Sequence, residues 1–374
     1  MIKGKITSNA TFIVLLLIVS LAAVSAAAVT DAGASFENRP GWRIPVLCYH
    51  TFYHESSTRN PGPLDATYEA FEDVLHYLQK NGFRTIIPET RPLRHEPNPL
   101  TVVITFDDGH VSQMRAAELL EAYGMRGIFF IIPSLVDVPD YPHLSSSQLA
   151  DLADRGHLIG VHGHRHVSMP RSAEEIIAVL DTVPDLLMEI PGISERDIHS
   201  LAYPYGHFTP AVVRSMRSRY PLQYTVNPGY WDGRSTLVPR ILLTRSKDKQ
   251  FYLDYLSGVL NGRRALKMRE PNGSRRSVVR FDNPGNLDPS GLHIRSVSPD
   301  RFGRFYQEHP AASYFTKGDG YLVFNIADYL EDHHPPENRA LSFAVTRKEG
   351  DVFRFVSDGY LIWVPLRSNV HTAP

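Results

Sequence analysis

The sequence predicts an α/β fold, with a parallel sheet in its first part and a smaller β-rich region after it. Short apolar runs that are rich in β-branched residues, such as 101–104, recur between residues 43 and 245. Segments with apolar residues at helical spacing, such as 65–79, separate these runs. Strands that alternate with helices are typical of a parallel sheet covered on both faces, or of a sheet closed into a barrel.

Turn residues set the bounds of the elements. Gly82, Gly124 and Gly156 each end a helix, Ser145–Ser147 offer N-caps, and Pro133 follows an apolar strand. In chain order, the predicted strands are 44–49, 83–87, 102–106, 127–132, 158–161, 198–203, 223–226 and 238–244. The predicted helices are 65–79, 111–123, 148–154, 173–188, 210–219 and 247–260.

The pattern changes after residue 245, where short strand-like runs alternate with turn residues such as Asn283–Asn286. Strands at this spacing predict a small antiparallel sandwich or sheet. They are expected at 277–281, 292–297, 320–326, 340–346, 352–356 and 360–364. We therefore predict a first domain at 43–245, a helix and linker at 246–275, and a β-rich C-terminal domain at 276–374.

The N-terminus has the pattern of a secretory signal peptide. Lys3 and Lys5 precede an apolar run at 12–24, and small residues follow that run. We therefore predict a signal peptide at 1–27, a polar linker at 28–42, and export to the periplasm, the cell surface or the medium. The run is short for a membrane span, so no stable span is expected after signal removal. An uncleaved N-terminal anchor is the alternative.

Composition limits the classes of function. The chain has 374 residues, 43% of them apolar, and a formal net charge of −1, which gives no reason to expect nucleic acid as a partner. Its 17 histidines favour metal or acid–base chemistry. Cys48 is the only cysteine, so an exported chain has no internal disulfide. No feature of the sequence predicts an oligomeric state.

Two adjacent carboxylates, Asp107 and Asp108, close the predicted strand at 102–106, and Gly109 follows them. At a strand end that runs into a turn, both side chains can reach one rim, whereas within a strand they would point to opposite faces. Two acids at the mouth of a buried strand are costly unless a positive group lies there. A metal ion plus a proton acceptor would explain the pair. A solvated acidic loop or a helix N-cap pair is the alternative.

Histidines follow another predicted strand. His162 and His166 are four residues apart, and on a loop leaving a strand they can bind one ion. Zinc favours imidazole and carboxylate ligands, so Asp108, His162 and His166 would make a three-ligand site with a position left for water. Asp107 is then placed to accept a proton from that water. A surface cluster of histidines is the alternative.

The strand at 198–203 leads into the turn Pro204–Gly206. A tight turn of this kind can direct a backbone N–H towards a developing oxyanion. A metal site, a proton acceptor and such an N–H are together what the hydrolysis of an amide or ester needs.

These residues resemble the polysaccharide deacetylases with the NodB-homology domain. The first motif of that family, TFDDG, is present at 105–109. The second, histidine-Ser/Thr-x-x-histidine, matches 162–166 except that Gly163 replaces the hydroxyl residue, and the third ends in Pro-Tyr-Gly, as at 204–206. The opening run 44–50 is similar to the first strand of secreted members. The resemblance covers about residues 42–245 and leaves 246–374 outside.

The resemblance implies a distorted (β/α) barrel that removes acetyl groups from N-acetylated amino sugars of a polysaccharide, using a divalent metal ion, for which we expect Zn²⁺. It makes Asp107 the catalytic base and places the backbone N–H of Tyr205 in the oxyanion hole. It makes Asp108, His162 and His166 the metal ligands.

Besides Gly163, the chain departs from the family at further places. The arginine that often pairs with the catalytic aspartate in the third motif is missing, because Ala202 precedes Tyr203. The late strand at 241–244 lacks the histidine that acts as general acid in the family. Candidates for that proton donor or for contact with substrate are His50, His110, His207 and Trp231.

Two other functions remain open at this point. The missing arginine and histidine are consistent with a catalytically weakened carbohydrate-binding protein on the same scaffold. The same metal site could instead serve an esterase that removes O-acetyl groups from a glycan.

Overall fold

A computed structural model provides the structure of the protein. It describes residues 43–58, 60–62, 64–88, 93, 100–165, 173–195, 198–206, 208, 210–227, 229–243, 255–256, 266–269, 274–296, 308–334, 340–350 and 352–363. The predicted signal peptide and linker, His166 and His207 lie outside these residues.

Helices and strands alternate through the first part of the described chain. Strands β1 to β12 are Ile44–Tyr49, Thr51–Tyr53, Asp65–Thr67, Arg84–Thr85, Thr101–Phe106, Ile128–Ile131, Leu158–Val161, Ser200–Ala202, Leu222–Tyr224, Tyr230–Trp231, Leu237–Val238 and Ile241–Leu242. Strands β13 to β20 are Lys267–Met268, Val279–Asp282, Leu292–Ser296, Glu308–Pro310, Phe315–Gly318, Tyr321–Phe324, Ala340–Glu349 and Val352–Trp363. Helices α1 to α6 are Tyr68–Lys80, Gln113–Ala122, Ser146–Asp154, Ala173–Met188, Pro210–Ser215 and Ile326–His333.

The first part is a nearly closed barrel of parallel strands, which confirms the predicted α/β barrel. Its strands are hydrogen-bonded in the order β1, β5, β6, β7, β8, β9 and β11. Strand β12 returns to pair in parallel with β1, with Leu47 opposite Ile241 and Cys48 opposite Leu242. Because only Pro239 and Arg240 separate β11 from β12, the two short strands together bring the sheet back to its first strand.

The late strand differs from the continuous element expected at 238–244. Proline has no N–H to donate, so Pro239 cannot continue the ladder between β11 and β9. The next residue, Arg240, donates its backbone N–H to Asn227 O at 2.8 Å. The chain then pairs with β1 instead of β9. This change of partner closes the barrel and sends the Arg240 side chain into its buried interior.

The start of the first helix also differs from the expectation. Residues Asp65–Thr67 form β3, which pairs in parallel with β2, and α1 begins only at Tyr68. The Thr67 hydroxyl accepts a hydrogen bond from Ala70 N at 3.0 Å and so caps the helix. The predicted apolar face is confirmed, because Phe71 and Leu78 are buried in the core of the barrel.

The C-terminal part contains two four-stranded antiparallel sheets, with strand orders β13-β14-β18-β17 and β16-β15-β19-β20. Residues 352–363 form one strand rather than two, because β20 pairs with β19 along almost its whole length. The expected strand at 320–326 stops at Phe324, since the Asn325 side chain accepts a hydrogen bond from Asp328 N and caps α6.

The described residues form separate hydrophobic cores in the two parts. The larger core includes Phe71, Phe106 and Phe129, and another includes Phe281 and Phe343. The domain boundaries at 246 and 276 stay predictions, because much of that segment lies outside the described residues. Among the residues that the structure describes, no helix has both the length and the apolarity needed to cross a membrane.

Candidate active site

The carboxyl ends of the parallel strands bring the predicted polar residues to one rim of the barrel. His50 follows β1, Asp107 and Asp108 follow β5, His162 follows β7, and Tyr205 lies in the turn after β8. Because these strands run in the same direction, the segments that leave them lie at the same end. Asp107 N donates to Tyr49 O at 2.9 Å, so the pairing of β1 with β5 continues into this rim.

Asp107 is clamped by a buried arginine. The Arg240 guanidinium donates from Nη1 to Asp107 Oδ1 at 2.6 Å and from Nη2 to Oδ2 at 2.8 Å. Its Nε donates to Thr225 O at 2.8 Å, and Nη1 also reaches Thr105 Oγ1 at 3.2 Å. Both side chains are almost fully buried, with exposures of 0% and 2%. Such a two-point contact fixes the plane of the carboxylate as well as its position.

The electrostatic consequence is a strongly acidic carboxyl group. Burial alone would raise the pKa of Asp107, but the Arg240 guanidinium outweighs burial and lowers that pKa to about 2. Asp107 is therefore a carboxylate at any ordinary pH.

Sequence reasoning missed Arg240. The family's arginine partner of the catalytic aspartate is missing from the third motif, and no other residue was predicted to take its place. Arg240 lies 133 residues away in sequence and reaches the site through the break at Pro239. The available signal was a single arginine inside the apolar run 237–243, where a charged side chain needs a buried partner.

Asp108 is directed differently from its neighbour by the backbone. Its φ is 73° and that of Gly109 is 72°, so two successive residues adopt the left-handed conformation. A Cβ at Gly109 would lie 3.0 Å from Ile131 Cδ1, which leaves glycine as the residue that fits. The sharp turn separates the two carboxylates, so that Asp107 stays inside the barrel while the side chain of Asp108 is 27% exposed.

His162 lies beside both carboxylates. Its Nδ1 donates to Ala202 O at 2.8 Å, which leaves Nε2 as the ring atom with a lone pair. That Nε2 is 3.3 Å from Asp108 Oδ1 and 3.8 Å from Asp107 Oδ2. Burial lowers the pKa of His162, but the carboxylates, Asp107 first, outweigh it and raise that pKa above its usual value.

The replacement of the family's hydroxyl residue by Gly163 has a local cause. Gly163 has a φ of 71°, and a Cβ there would lie 3.0 Å from Pro204 Cγ. The loop after β7 thus passes close to the turn after β8, at the point where His162 is bonded to Ala202. His166, the second predicted histidine of the motif, lies outside the described residues.

His50 follows β1, and His162 follows β7. In the sheet these two strands lie on opposite sides of β5, the strand that precedes Asp107. His50 is 8% exposed, and its Nδ1 has no hydrogen-bond partner among the described residues. Burial holds the pKa of His50 below its usual value, although Asp108 and Asp107 oppose the shift. Gln113 Nε2 donates to His50 O at 2.7 Å and to Asp107 O at 2.6 Å, which ties the ends of β1 and β5 together.

A second group of potential metal ligands also includes Asp107. The ligand atoms of Cys48, His50 and Asp107 are all within 4.8 Å of one another. Burial, however, raises the pKa of the Cys48 thiol well above its usual value, so the thiol keeps its proton. Both oxygens of Asp107 already accept from Arg240, whose positive charge would repel a cation there. Asp108 and His162 are therefore the better donor pair.

The remaining predicted residues fall in different places. Tyr205 lies at the rim with a φ of 56°, a left-handed conformation that is uncommon for a residue with a side chain. His110 follows Gly109, and its Nδ1 is 2.8 Å from Ser112 Oγ. Trp231 is fully buried and pairs with Ile44 at the start of β1, so it does not reach the rim. His207 lies outside the described residues.

Comparison with known proteins agrees with this architecture. The polysaccharide deacetylase family matches residues 94–224. A polysaccharide deacetylase from Bacillus cereus has a similar structure, with a TM-score of 0.50 and 22% identity over 58% of this chain and 69% of that one. A Streptococcus pyogenes deacetylase in complex with acetate gives a TM-score of 0.50 and 20% identity over 58% of this chain and 99% of that one.

A search of curated protein sequences found no match to this chain. The two structural similarities establish the fold. The similarity in sequence rests on the family match. Residues 94–224 of this chain therefore match the polysaccharide deacetylase family, and the fold of the described residues is similar to that of solved polysaccharide deacetylases.

Proposed function

We propose that this protein is an exported, metal-dependent hydrolase that removes the acetyl group from an N-acetylated amino sugar of a polysaccharide or oligosaccharide. The observation that carries the proposal is the division of the two adjacent carboxylates. Asp107 is held on both oxygens by Arg240, whereas Asp108 lies beside the lone pair of His162. The family match at residues 94–224 supports the same reaction.

Asp108 and His162 fit a divalent cation. Their facing atoms are 3.3 Å apart, and the hydrogen bond from Nδ1 to Ala202 O presents Nε2 as the donor atom. His166 would complete the set. When bound, a cation such as Zn²⁺ lowers the pKa of a water molecule and polarises a carbonyl oxygen. Zn²⁺ suits this mixture of imidazole and carboxylate ligands.

Asp107 is the proposed proton acceptor. Arg240 holds its carboxylate in one orientation. In that orientation Asp107 Oδ2 lies 3.8 Å from His162 Nε2 and therefore faces the proposed metal ligands. A base with a pKa of about 2 is weak, so its contribution comes from its fixed position next to an acidified water rather than from basicity. The left-handed turn at Tyr205 would direct a backbone N–H to the oxyanion.

His50 is the proposed proton donor to the departing amine. It lies at the rim, is connected to Asp107 through Gln113, and has no hydrogen-bond partner for Nδ1 among the described residues. His50→Ala should lower acetamide hydrolysis by about 10²–10⁴-fold. Hydrolysis of 4-nitrophenyl acetate, whose leaving group needs no proton, should change far less. The exposed His76 on α1 provides the matched control, His76→Ala. Equal loss on both substrates would assign His50 a role other than proton donation.

Acetate release from a panel of acetylated glycans tests the function. The panel contains N-acetylglucosamine oligomers, N-acetylated polysaccharides and O-acetylated xylan, each with and without a chelator. We expect release from an N-acetylated substrate, loss on chelation, and recovery with added Zn²⁺. Release from O-acetylated xylan alone would make the protein an esterase. Glycan binding without any release would make it a carbohydrate-binding protein on this scaffold, and release that survives chelation would overturn the metal site.

A further inference from the structure

The loop between β6 and α3 carries the most exposed large apolar side chain of the described residues. Tyr141 is 51% exposed. The proposed mechanism uses neither this residue nor its loop. A large aromatic ring on the surface calls for a functional explanation when it lies within a contiguous apolar patch.

Two other exposed apolar residues are joined to this loop through the backbone, and we call the three residues Val111, Val138 and Tyr141 the patch. Val138, which is 39% exposed, accepts a hydrogen bond at its backbone oxygen from Tyr141 N at 3.3 Å. Val111, also 39% exposed, donates its backbone N–H to Pro142 O at 2.9 Å. These three side chains are half of the six large apolar residues that are exposed in the described chain, and they fall on two bonded loops.

The patch is fixed next to the proposed reaction site. Leu144 N donates to Gly109 O at 2.8 Å, and His110 and His143 form a β-bridge. The β6–α3 loop is thereby attached to the residues that directly follow Asp108. We therefore expect a ligand of this loop to lie near a sugar whose acetamide is positioned at Asp108.

The Tyr141 ring is held in place from one side. It stacks on the His143 ring with centroids 4.8 Å apart and an interplanar angle of 13°. The His143 ring in turn meets His110 edge to face, with centroids 6.1 Å apart. A ring that is already ordered loses little conformational entropy when a ligand covers its open side.

We propose that Tyr141 stacks against a pyranose ring of the glycan, in a subsite next to the unit that is deacetylated. This proposal rests on the proposed function for the identity of the ligand. Pyranose rings present apolar C–H faces to an aromatic ring and hydroxyl groups at their edges. Asp137 and Asp140 are exposed on the same loop, and although Asp137 Oδ1 already accepts from Ser146 N at 2.9 Å, carboxylate oxygens have several lone pairs and can accept from those hydroxyl groups. The same two charges disfavour an anionic membrane as the occupant.

Kinetics on a hexamer of N-acetylglucosamine test the subsite. Tyr141→Ala should raise KM for the hexamer by up to about tenfold, the worth of one aromatic contact, and should leave kcat close to that of the wild type. Tyr141→Phe should restore KM because it keeps the ring. Val278→Ala is the matched control, since Val278 is 48% exposed in the C-terminal part. An unchanged KM, or a fall in kcat alone, would overturn the stacking role.

Direct binding separates this proposal from the proposed function. Calorimetry measures binding of the same hexamer to Asp107→Asn with and without Tyr141→Ala. Weaker binding in the double variant supports the subsite even if the wild-type protein releases no acetate, a result that would refute only the proposed activity. Equal binding by both variants, or no binding by either, would overturn the subsite. If Tyr141→Ala weakens binding to anionic phospholipid vesicles and leaves binding of the hexamer unchanged, the patch binds a membrane and the proposal is overturned as well.

Discussion

Two buried ion pairs of this protein differ in how they are built. In the barrel, Arg240 and Asp107 are joined by two hydrogen bonds, are 0% and 2% exposed, and come from segments 133 residues apart. In the C-terminal part, Arg295 and Glu308 share one hydrogen bond of 3.3 Å and are 7% and 13% exposed. They lie opposite each other on the adjacent strands β15 and β16.

The difference in burial and hydrogen bonding indicates that the two ion pairs have different roles. The C-terminal pair is a somewhat less buried cross-strand contact, of a kind that is common in antiparallel sheets. Burying the barrel pair costs desolvation of two charges, which a well-packed apolar pair would avoid. We interpret the barrel pair as a device that holds a carboxylate at a fixed angle for chemistry, with stability as a secondary result.

The largest effect on stability is expected when the barrel pair is broken. Arg240→Ala leaves the buried Asp107 carboxylate without its partner and should lower the free energy of unfolding by about 3–5 kcal/mol. Urea denaturation measures this loss. The double variant Asp107→Leu/Arg240→Met removes both charges, so it should recover much of the stability while remaining inactive. A double variant that is as unstable as Arg240→Ala would show that the pair itself stabilises the barrel.

A smaller effect is expected from the C-terminal pair. Arg295→Ala removes one hydrogen bond between charged groups and should lower the free energy of unfolding by about 1.5–3 kcal/mol or less, given the partial exposure. Acetate release at a temperature where the variant is folded should be unchanged. An effect as large as that of Arg240→Ala would contradict the distinction drawn between the two pairs.

The smallest effect on stability is expected from a moderate decrease in pH, through the titration of Asp107. The pKa of Asp107 is about 2 in the folded protein and about 3.9 in an unfolded chain. A carboxyl group whose pKa is lowered by folding stabilises the protein above its unfolded pKa, and this stabilisation is lost as the pH falls through the folded value. The difference in unfolding free energy between wild type and Asp107→Asn should therefore shrink as the pH falls below about 4, which is below the range in which His162 and His50 titrate. A difference that does not shrink between about pH 4 and pH 2 would indicate that Asp107 is not held by Arg240.

The sequence was sufficient for the local parts of the site. The run that ends in Asp107 and Asp108 reads as a buried strand followed by a turn, and the structure has both. Gly109 follows them with a φ of 72°, a conformation that favours glycine, and a glycine at a sharp turn is visible in the local sequence. Strand alternation likewise predicted a parallel sheet, either open or closed into a barrel, because it depends on short-range patterns, and the family resemblance implied the barrel.

The parts that sequence reasoning missed depend on distant contacts. Nothing within the run 237–243 shows that Arg240 faces Asp107, since this follows only from the change of strand partner at Pro239. Trp231 was a candidate for contact with substrate, yet its pairing with Ile44 puts it at the start of β1. Tyr141 had no motif to mark it, and its significance comes from the bonds between its loop and Gly109–Val111.

The central claim is that Asp107 and Asp108 have separate roles. It is tested most directly by measuring zinc content and acetate release together in Asp107→Asn and Asp108→Asn, with Asp319→Asn at an exposed turn as control. Asp107→Asn should retain about one zinc ion and lose about 10²–10⁴-fold in kcat, whereas Asp108→Asn should lose both zinc and activity. If the two variants retain the same amount of zinc, the division of roles between the carboxylates is wrong.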